Sequence, residues 1–336
     1  MNKDYNKDLF EYLLGSTQYE LIYNVLPEKL NKLGYNDIEH ISDNLFAHGE
    51  IPILLVAHCD IVTSNNEYPT EFIYEKNDSI IRANNRTLGA DDRGGVYIIL
   101  EALKKLSKRP YLLFTHSEER GCIGASEFVT KMPYNEYEIK FMIELDRRGS
   151  NDLVYYDCDG YDEFMKFCED MTGYKHAYGS YSDICELMNE WKICGVNMSV
   201  GYYSEHTSKE YVIIDEMLNT KDVLVNWLNN IDYDTLPRFD YTPKQTQGYS
   251  SNWDWLFDSY DEAKDLFPNE DYSPYDEDGE KIIECGGTSY VCCVDCSKLI
   301  PLNECSQHYG ICLCEDCASY YDDVIERNNR DKYKLF

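Results

Sequence analysis

Long apolar runs are absent from this sequence. No stretch approaches the roughly 18 uninterrupted apolar residues of a membrane-spanning helix, and the polar first residues contain no apolar leader. Positive charge is scarce as well, because 31 Lys and Arg residues stand against 62 Asp and Glu residues, a formal net charge of -31. Such a surface repels phosphate groups. The sequence therefore argues against binding to nucleic acid or to a membrane.

The cysteines also lack the distribution of a disulfide framework. Six of the 14 are scattered singly through the first 200 residues, and eight lie between positions 285 and 317. Clustered cysteines without a secretion signal favour metal thiolates in a reducing compartment. We therefore expect a cytoplasmic protein.

A substantial core is expected, since 43% of the 336 residues are hydrophobic. Short apolar runs typical of buried strands alternate with segments of helical period. The runs that predict strands lie at 53–57, 111–114, 139–145 and 196–200, and those that predict helices lie at 5–33 (interrupted near Pro27), 94–106, 125–131, 164–171 and 215–230. This alternation predicts an α/β fold with a mostly parallel central sheet flanked by helices.

Composition divides the chain into four parts. Residues 1–232 carry the α/β pattern and form the predicted catalytic domain. Residues 233–280 are an acidic, aromatic linker, residues 281–320 are rich in cysteine, and residues 321–336 are a charged tail.

Polar residues of metal-ligand type follow the predicted strands. His58 and Asp60 end the first strand, and Asp91 lies 33 positions after His58. Glu118 comes 27 positions after Asp91, and Asp146 comes 28 positions after Glu118. Each offset is close to the roughly thirty residues of one strand–helix–strand unit, so parallel strands would bring these groups to one sheet edge. His and carboxylate ligands together suit catalytic zinc, although manganese or cobalt could also occupy such a site.

Three motifs are the most specific: Gly89–Gly94, Glu118–Ala125 and His206–Val212. With the His58 and Asp146 segments, they resemble in order and spacing the co-catalytic di-zinc exopeptidase superfamily, which includes peptidase T, glutamate carboxypeptidase and the compact zinc aminopeptidases. The resemblance covers roughly residues 50–232. The gaps at 61–90 and 147–205 are too short for the lid or dimerisation domain of several relatives, so a compact, lid-less form is expected.

The resemblance implies roles for individual residues. Its two catalytic zinc ions would be held by His58, Asp91, Glu119, Asp146 and His206. Asp91 would bridge both ions, and Asp60 would hold the imidazole of His58 in the correct tautomer. Glu118 would be the general base that activates a zinc-bridging water. Glu144 lies on the same strand face as Asp146, so either could be the ligand; Asp146, nearer the strand end, is preferred.

A second metal site is predicted at the C-terminus. Cys293, Cys296, Cys314 and Cys317 form two Cys-x2-Cys pairs separated by 17 residues. This spacing predicts one structural zinc ion in a zinc-ribbon-like or treble-clef module. Lys298 is the one basic residue between the pairs, so we expect a protein partner here rather than nucleic acid.

Three functions remain open. The leading prediction is an aminopeptidase, because an acidic protein suits a substrate ammonium and the compact relatives are mostly aminopeptidases. A deacylase or carboxypeptidase, acting on an N-acyl amino acid or peptide, would need Arg147, Arg148 or another basic group to face the cleft. Arginines in such positions more often form structural salt bridges with carboxylates of the same chain. The third alternative is a non-catalytic binding protein that retains the fold.

Overall fold

The computed structural model describes residues 4–63, 68–158, 161–179 and 181–242, without the side chain of Asp157, together with the backbone of five short strands between positions 283 and 313. The chain divides into two compact units, Met1–Trp255 and Leu256–Phe336.

The described residues of the first unit contain twelve strands. In chain order they are β1 (Ile38–Ile41), β2 (Asn44–Ala47), β3 (Ile51–His58), β4 (Phe72–Glu75), β5 (Ile80–Ala83), β6 (Pro110–Thr115), β7 (Phe141–Arg147), β8 (Asp152–Val154), β9 (Lys175–Ala177), β10 (Gly195–Ser199), β11 (Tyr202–Tyr203) and β12 (Tyr211–Ile213). Eight of them form one sheet in the order β1-β2-β6-β3-β7-β10-β8-β9. Its centre, from β6 through β3 and β7 to β10, is parallel throughout.

Eight α-helices lie in the same described part of the chain. They are α1 (Lys7–Gly15), α2 (Gln18–Glu20), α3 (Leu26–Lys32), α4 (Ala90–Leu103), α5 (Ile123–Lys131), α6 (Asp162–Thr172), α7 (Asp183–Trp191) and α8 (Ile214–Asn230). Every strand and helix predicted in the catalytic domain is present, and the predicted fold class is confirmed. No helix among the described residues is long and apolar enough to span a membrane.

The predicted break near Pro27 is wrong. The chain leaves the helical conformation earlier, where Ser16 and Thr17 are extended, and the Thr17 side chain accepts a hydrogen bond from the N–H of Glu20 at 3.1 Å. Pro27 instead lies in the first turn of α3, after a π-helical turn at Leu21–Val25. Residues 18–32 therefore stay helical through Pro27, and the change from π-helical to α-helical structure falls at Leu26.

The sequence pattern did not predict a second, smaller sheet. Strands β11, β12, β5 and β4 pair antiparallel in that order. These strands are short, and β4 alternates half-buried and exposed residues, so none carries the apolar run that marks a buried strand. The sheet matters for the site because β11 and β12 flank the loop that carries His206.

The centre of the main sheet sets the position of the site. His58 ends β3, and the two strands beside β3 are β6 and β7, both parallel to it. Helix α4 approaches β7 closely at Gly95, where an added Cβ would lie 1.9 Å from the carbonyl oxygen of Leu145. Glycine at this position therefore lets the start of α4, with Asp91, reach the end of β7.

The second unit contains a three-stranded antiparallel sheet, β13 (Ile283–Cys285), β14 (Thr288–Cys292) and β15 (Leu299–Pro301), and a pair, β16 (Ser306–His308) and β17 (Ile311–Leu313). The four cysteines of the predicted zinc site, Cys293, Cys296, Cys314 and Cys317, lie outside the described residues.

Substitution of Phe141 tests how much the packing of the core contributes to stability. This side chain is fully buried, and its ring centroid lies 5.7 Å from that of Trp227 and 5.6 Å from that of Phe167. We expect Phe141→Ala to lower the free energy of unfolding by about 3–5 kcal/mol through lost burial and a residual cavity. The control Tyr134→Ala removes a ring that is 71% exposed and should change it by less than about 0.5 kcal/mol. Urea unfolding measures both, and equal losses would contradict this description of the core.

Candidate metal centre

The predicted ligands lie together at one edge of the main sheet. His58 is the last residue of β3, Asp146 lies near the end of β7, and Asp91 is the second residue of α4. Glu118 and Glu119 open a 3-10 turn that follows β6, and His206 lies between β11 and β12. Parallel strands and the loops after them therefore converge as the sequence predicted.

Two triads of possible ligand atoms share one carboxylate. In the first, Nε2 of His58 lies 3.1 Å from Oδ1 of Asp91 and 3.5 Å from Oδ1 of Asp146. In the second, Nε2 of His206 lies 3.1 Å from Oδ2 of Asp91 and 3.0 Å from Oε1 of Glu119. Within each triad the donor atoms lie within 4.8 Å of one another. Asp91 thus offers one oxygen to each triad.

Glu118 lies beside both triads. Its Oε2 is 3.8 Å from Nε2 of His58, and the thiol of Cys122 lies 3.6 Å from its Oε1. Burial raises the pKa of Glu118 well above its usual value, and the neighbouring carboxylates of Asp146 and Glu119 raise it further. This carboxyl group is placed to hold a proton next to the shared ligand set.

Asp60 lies near Nδ1 of His58, the ring nitrogen that does not face Asp91 and Asp146. Its Oδ1 lies 3.3 Å from Nδ1 of His58 and accepts a hydrogen bond from the N–H of Glu118 at 3.0 Å. Its Oδ2 accepts one from the N–H of Glu119 at 3.1 Å. Asp60 therefore fixes the Glu118–Glu119 pair as well as facing the imidazole, a second role that the sequence did not predict.

The two acids of β7 have different surroundings. The carboxylate of Asp146 faces His58 and accepts hydrogen bonds from the hydroxyls of Ser182 at 2.8 Å and Tyr202 at 3.2 Å. Glu144 is fully buried and accepts a hydrogen bond from the N–H of Ile184 at 3.2 Å, at the start of α7. Asp146 is therefore the better placed of the two to bind an ion.

The electrostatics of the site favour a cation. Burial lowers the pKa of His206, but the carboxylates of Asp91 and Glu119 outweigh it and raise that pKa to about 12. The pKa of His58 is likewise raised by Asp146, Asp60 and Asp91 against the effect of burial. Each imidazole is thus surrounded by carboxylates whose negative charge favours a positive charge among them. Divalent ions would supply the same charge to neutral imidazoles, and this donor set suits zinc.

Glu210 is a site residue within the His206–Val212 motif, and the sequence predicted no role for it. It is 1% exposed, and its carboxylate accepts backbone hydrogen bonds from Gly89 at 2.8 Å, Ala90 at 2.7 Å and Asp91 at 3.1 Å. Burial raises its pKa to about 8, although these N–H donors oppose the change. Glu210 therefore fixes the loop that carries the shared ligand, and it does so from the segment that carries His206.

A further cluster, at Asp37, Glu39 and His48, also groups three possible ligands. Nε2 of His48 lies 2.7 Å from Glu39, whereas the other ring nitrogen, Nδ1, lies 3.7 Å from Asp37. Both carboxylates are exposed, and exposed acidic groups commonly cluster without an ion. The cluster is therefore not assigned as a metal site.

The two arginines after Asp146 pair with the chain's own carboxylates. Nη1 of Arg148 donates a hydrogen bond to Oε1 of Glu205 at 3.1 Å, and Nε of Arg147 lies 3.8 Å from Oδ2 of Asp152. This arrangement supports the structural salt bridge over the recognition of a substrate carboxylate.

Residues 46–180 match the family model described as Peptidase family M28. The predicted fold of a zinc exopeptidase catalytic domain is confirmed, and the family match, which covers less than half of the chain, supports the predicted family. The match covers His58, Asp91, Glu118, Glu119 and Asp146, and it supports the predicted metallopeptidase. No curated protein matches the chain significantly.

Solved structures share the fold at low sequence identity. The aminopeptidase PepT from Bacillus cereus is 15% identical, with 68% of this chain and 98% of that chain covered and a TM-score of 0.54. A tripeptidase from Staphylococcus aureus is 15% identical, with 66% and 96% covered and a TM-score of 0.55. Tannerella forsythia glutaminyl cyclase is 14% identical, with 69% and 99% covered and a TM-score of 0.51. A shared fold accommodates different chemistries, so the reaction must be argued from the site.

Glu210 provides a test of the site's architecture. In Glu210→Gln, an amide NH2 would face N–H groups that now donate to a carboxylate, so the Asp91 loop would lose its anchor. We expect metal binding at this centre to weaken about 10–100-fold, measured by competition with a chelator. The control Glu216→Gln changes a carboxylate that accepts a hydrogen bond from the Tyr203 hydroxyl at 2.6 Å, and it should keep wild-type affinity. Unchanged affinity in Glu210→Gln would contradict the anchoring role.

Proposed function

We propose that this protein is a metal-dependent aminopeptidase that removes the N-terminal residue of a peptide. The observation that carries the proposal is the shared carboxylate of Asp91, which faces His58 with one oxygen and His206 with the other. Glu118 lies next to this arrangement without belonging to either triad that contains Asp91. One carboxylate between two triads, with a free acid beside it, is suited to a pair of catalytic ions.

Each ion would have its own ligands and one in common. His58, Asp91 and Asp146 would hold the first, and Asp91, Glu119 and His206 the second. Zinc fits these donors, and manganese or cobalt could replace it. When bound, the ions would lower the pKa of a water molecule and polarise the substrate carbonyl.

Proton transfer is the task of Glu118. Its side chain is mostly buried, and burial raises its pKa, so its carboxyl group can hold a proton through part of the reaction. Glu118 takes that proton from the attacking water and delivers it to the leaving amine. Asp60 supports this step because it accepts hydrogen bonds from the N–H groups of Glu118 and Glu119.

Charge favours an amino-terminal substrate. The formal net charge of the chain is -31, and a protein this acidic suits a substrate that carries an ammonium group. The two arginines nearest to Asp146 are paired with Glu205 and Asp152, so neither presents an uncompensated charge for a substrate carboxylate. A deacylase or carboxypeptidase is therefore the second candidate, and a non-catalytic binding protein the third.

The remaining parts of the proposal concern the rest of the chain. We place the protein in the cytoplasm and assign catalysis to residues 1–232. Residues 233–280 would connect this domain to a zinc module at 281–320, followed by a charged tail at 321–336. The module would bind a structural zinc ion and a protein partner.

Glu118→Gln tests the function directly. The amide cannot accept a proton, so we expect kcat on an aminoacyl anilide to fall at least about 100-fold. Because Glu118 is outside both Asp91 triads, metal content by elemental analysis should remain that of the wild type. The control Glu127→Gln alters a side chain that is 53% exposed and should keep wild-type kcat.

A series of free peptides, aminoacyl anilides and their N-acetylated forms distinguishes the three candidate functions. An aminopeptidase cleaves a free peptide and the anilide but not their N-acetylated forms. Preference for the acetylated forms would indicate a deacylase, and release of C-terminal residues a carboxypeptidase. Binding of two ions without turnover of any of these substrates would support the binding protein.

Metal counting tests the C-terminal module. We expect three zinc ions per full-length chain, of which dialysis against a chelator removes two together with the activity. In the double variant Cys293→Ser, Cys296→Ser the count should fall to two, because two thiolates of the predicted tetrahedron are lost. A wild-type count of two would contradict a zinc ion in this module.

A further inference from the structure

Tyr181 lies next to a residue that contacts the candidate metal centre. It immediately precedes Ser182, whose hydroxyl donates a hydrogen bond to Oδ2 of Asp146 at 2.8 Å. The backbone next to Tyr181 is therefore held against a predicted metal ligand. Thr115, at the end of β6, donates a hydrogen bond to Asp183, which fixes the same segment from a second direction.

The ring of Tyr181 is both exposed and fixed in place. It is 40% exposed, a large fraction for an aromatic side chain next to a buried site. Its hydroxyl donates a hydrogen bond to Oε1 of Glu186, one turn into α7. A ring held at its far end has an exposed surface with little rotational freedom to lose when a ligand covers it.

The same ring lies on the Glu118 side of the centre. Helix α7 packs against α5, and Cys122, which precedes α5, has its thiol 3.6 Å from Oε1 of Glu118. The ring is held to α7 through Glu186, and α7 is thus the element that links Tyr181 to the α5 side of the centre. Glu118 is the group that would deliver a proton to the leaving amine, so this is the side on which the leaving part of the substrate lies.

We propose that Tyr181 forms a wall of the subsite for the residue on the leaving side of the scissile bond and selects apolar or aromatic side chains there. The inference rests on the proposed aminopeptidase function and adds a specificity determinant to it. An exposed ring that is already ordered gains contact area when an apolar side chain packs against it. A leaving glycine offers no side chain to this surface.

The test compares dipeptides that differ only in the leaving residue. The wild-type protein should cleave Ala-Phe and Ala-Leu with kcat/KM about tenfold or more above that for Ala-Gly. Tyr181→Ala should reduce this preference to about twofold, mainly through a higher KM for Ala-Phe. Tyr181→Phe keeps the ring but loses the hydroxyl that holds it, so its preference should fall between those of the wild type and Tyr181→Ala.

Tyr178→Ala is the matched control. Tyr178 is 75% exposed, and its ring lies against that of His176, with the two centroids 4.8 Å apart. Removing it should leave the preference for the leaving residue unchanged. A second series, Phe-Ala against Gly-Ala, varies the N-terminal residue and should respond equally in the wild type and in Tyr181→Ala.

The outcomes distinguish a failure of the Tyr181 inference from a failure of the proposed aminopeptidase function. If the wild type releases alanine but Tyr181→Ala keeps the full preference for Ala-Phe, Tyr181 does not line the subsite for the leaving residue. A loss of kcat on all substrates alike, or an effect confined to the N-terminal series, would also overturn the inference. If the wild type releases no alanine from any dipeptide, the aminopeptidase proposal itself fails.

Discussion

The contact of one carboxylate with two imidazoles organises this structure. Asp91 reaches His58 and His206 with separate oxygens, each at 3.1 Å from a ring nitrogen. Bringing carboxylates together in a buried place is unfavourable unless positive charge lies among them. Around Asp91 the chain therefore provides close packing of α4 against β7 at Gly95, the anchor of Glu210, and Asp60 behind the pair Glu118–Glu119.

These supports come from distant parts of the chain. Glu210 contacts the Asp91 loop across about 120 positions, and Asp60 contacts the Glu118 backbone across 58 positions. None of the supporting groups needs to touch substrate to matter. Because they hold the ligands in place, the predicted centre depends on the order of loops that are well separated in sequence.

The sequence predicted the main sheet because its central strands are buried on both faces and show as apolar runs, as at Ile53–Ala57. It also predicted which residues meet, since strand ends at intervals near thirty residues bring His58 and Asp146 to one edge. The small sheet with β11 and β12 was not predicted because its strands are only two to four residues long. The role of Glu210 escaped because a glutamate that accepts backbone N–H groups leaves no periodic signal in the sequence.

The two imidazoles differ sharply in exposure. The side chain of His58 is 1% exposed, at the end of a central strand, whereas that of His206 is 48% exposed, in a loop between two short strands. Ions held by such groups would exchange with the medium at different rates. The ion at His58 would be a lasting part of the folded domain, and the ion at His206 would follow the metal content of its surroundings. A single protein would then pass through a half-loaded form whenever divalent metal becomes scarce.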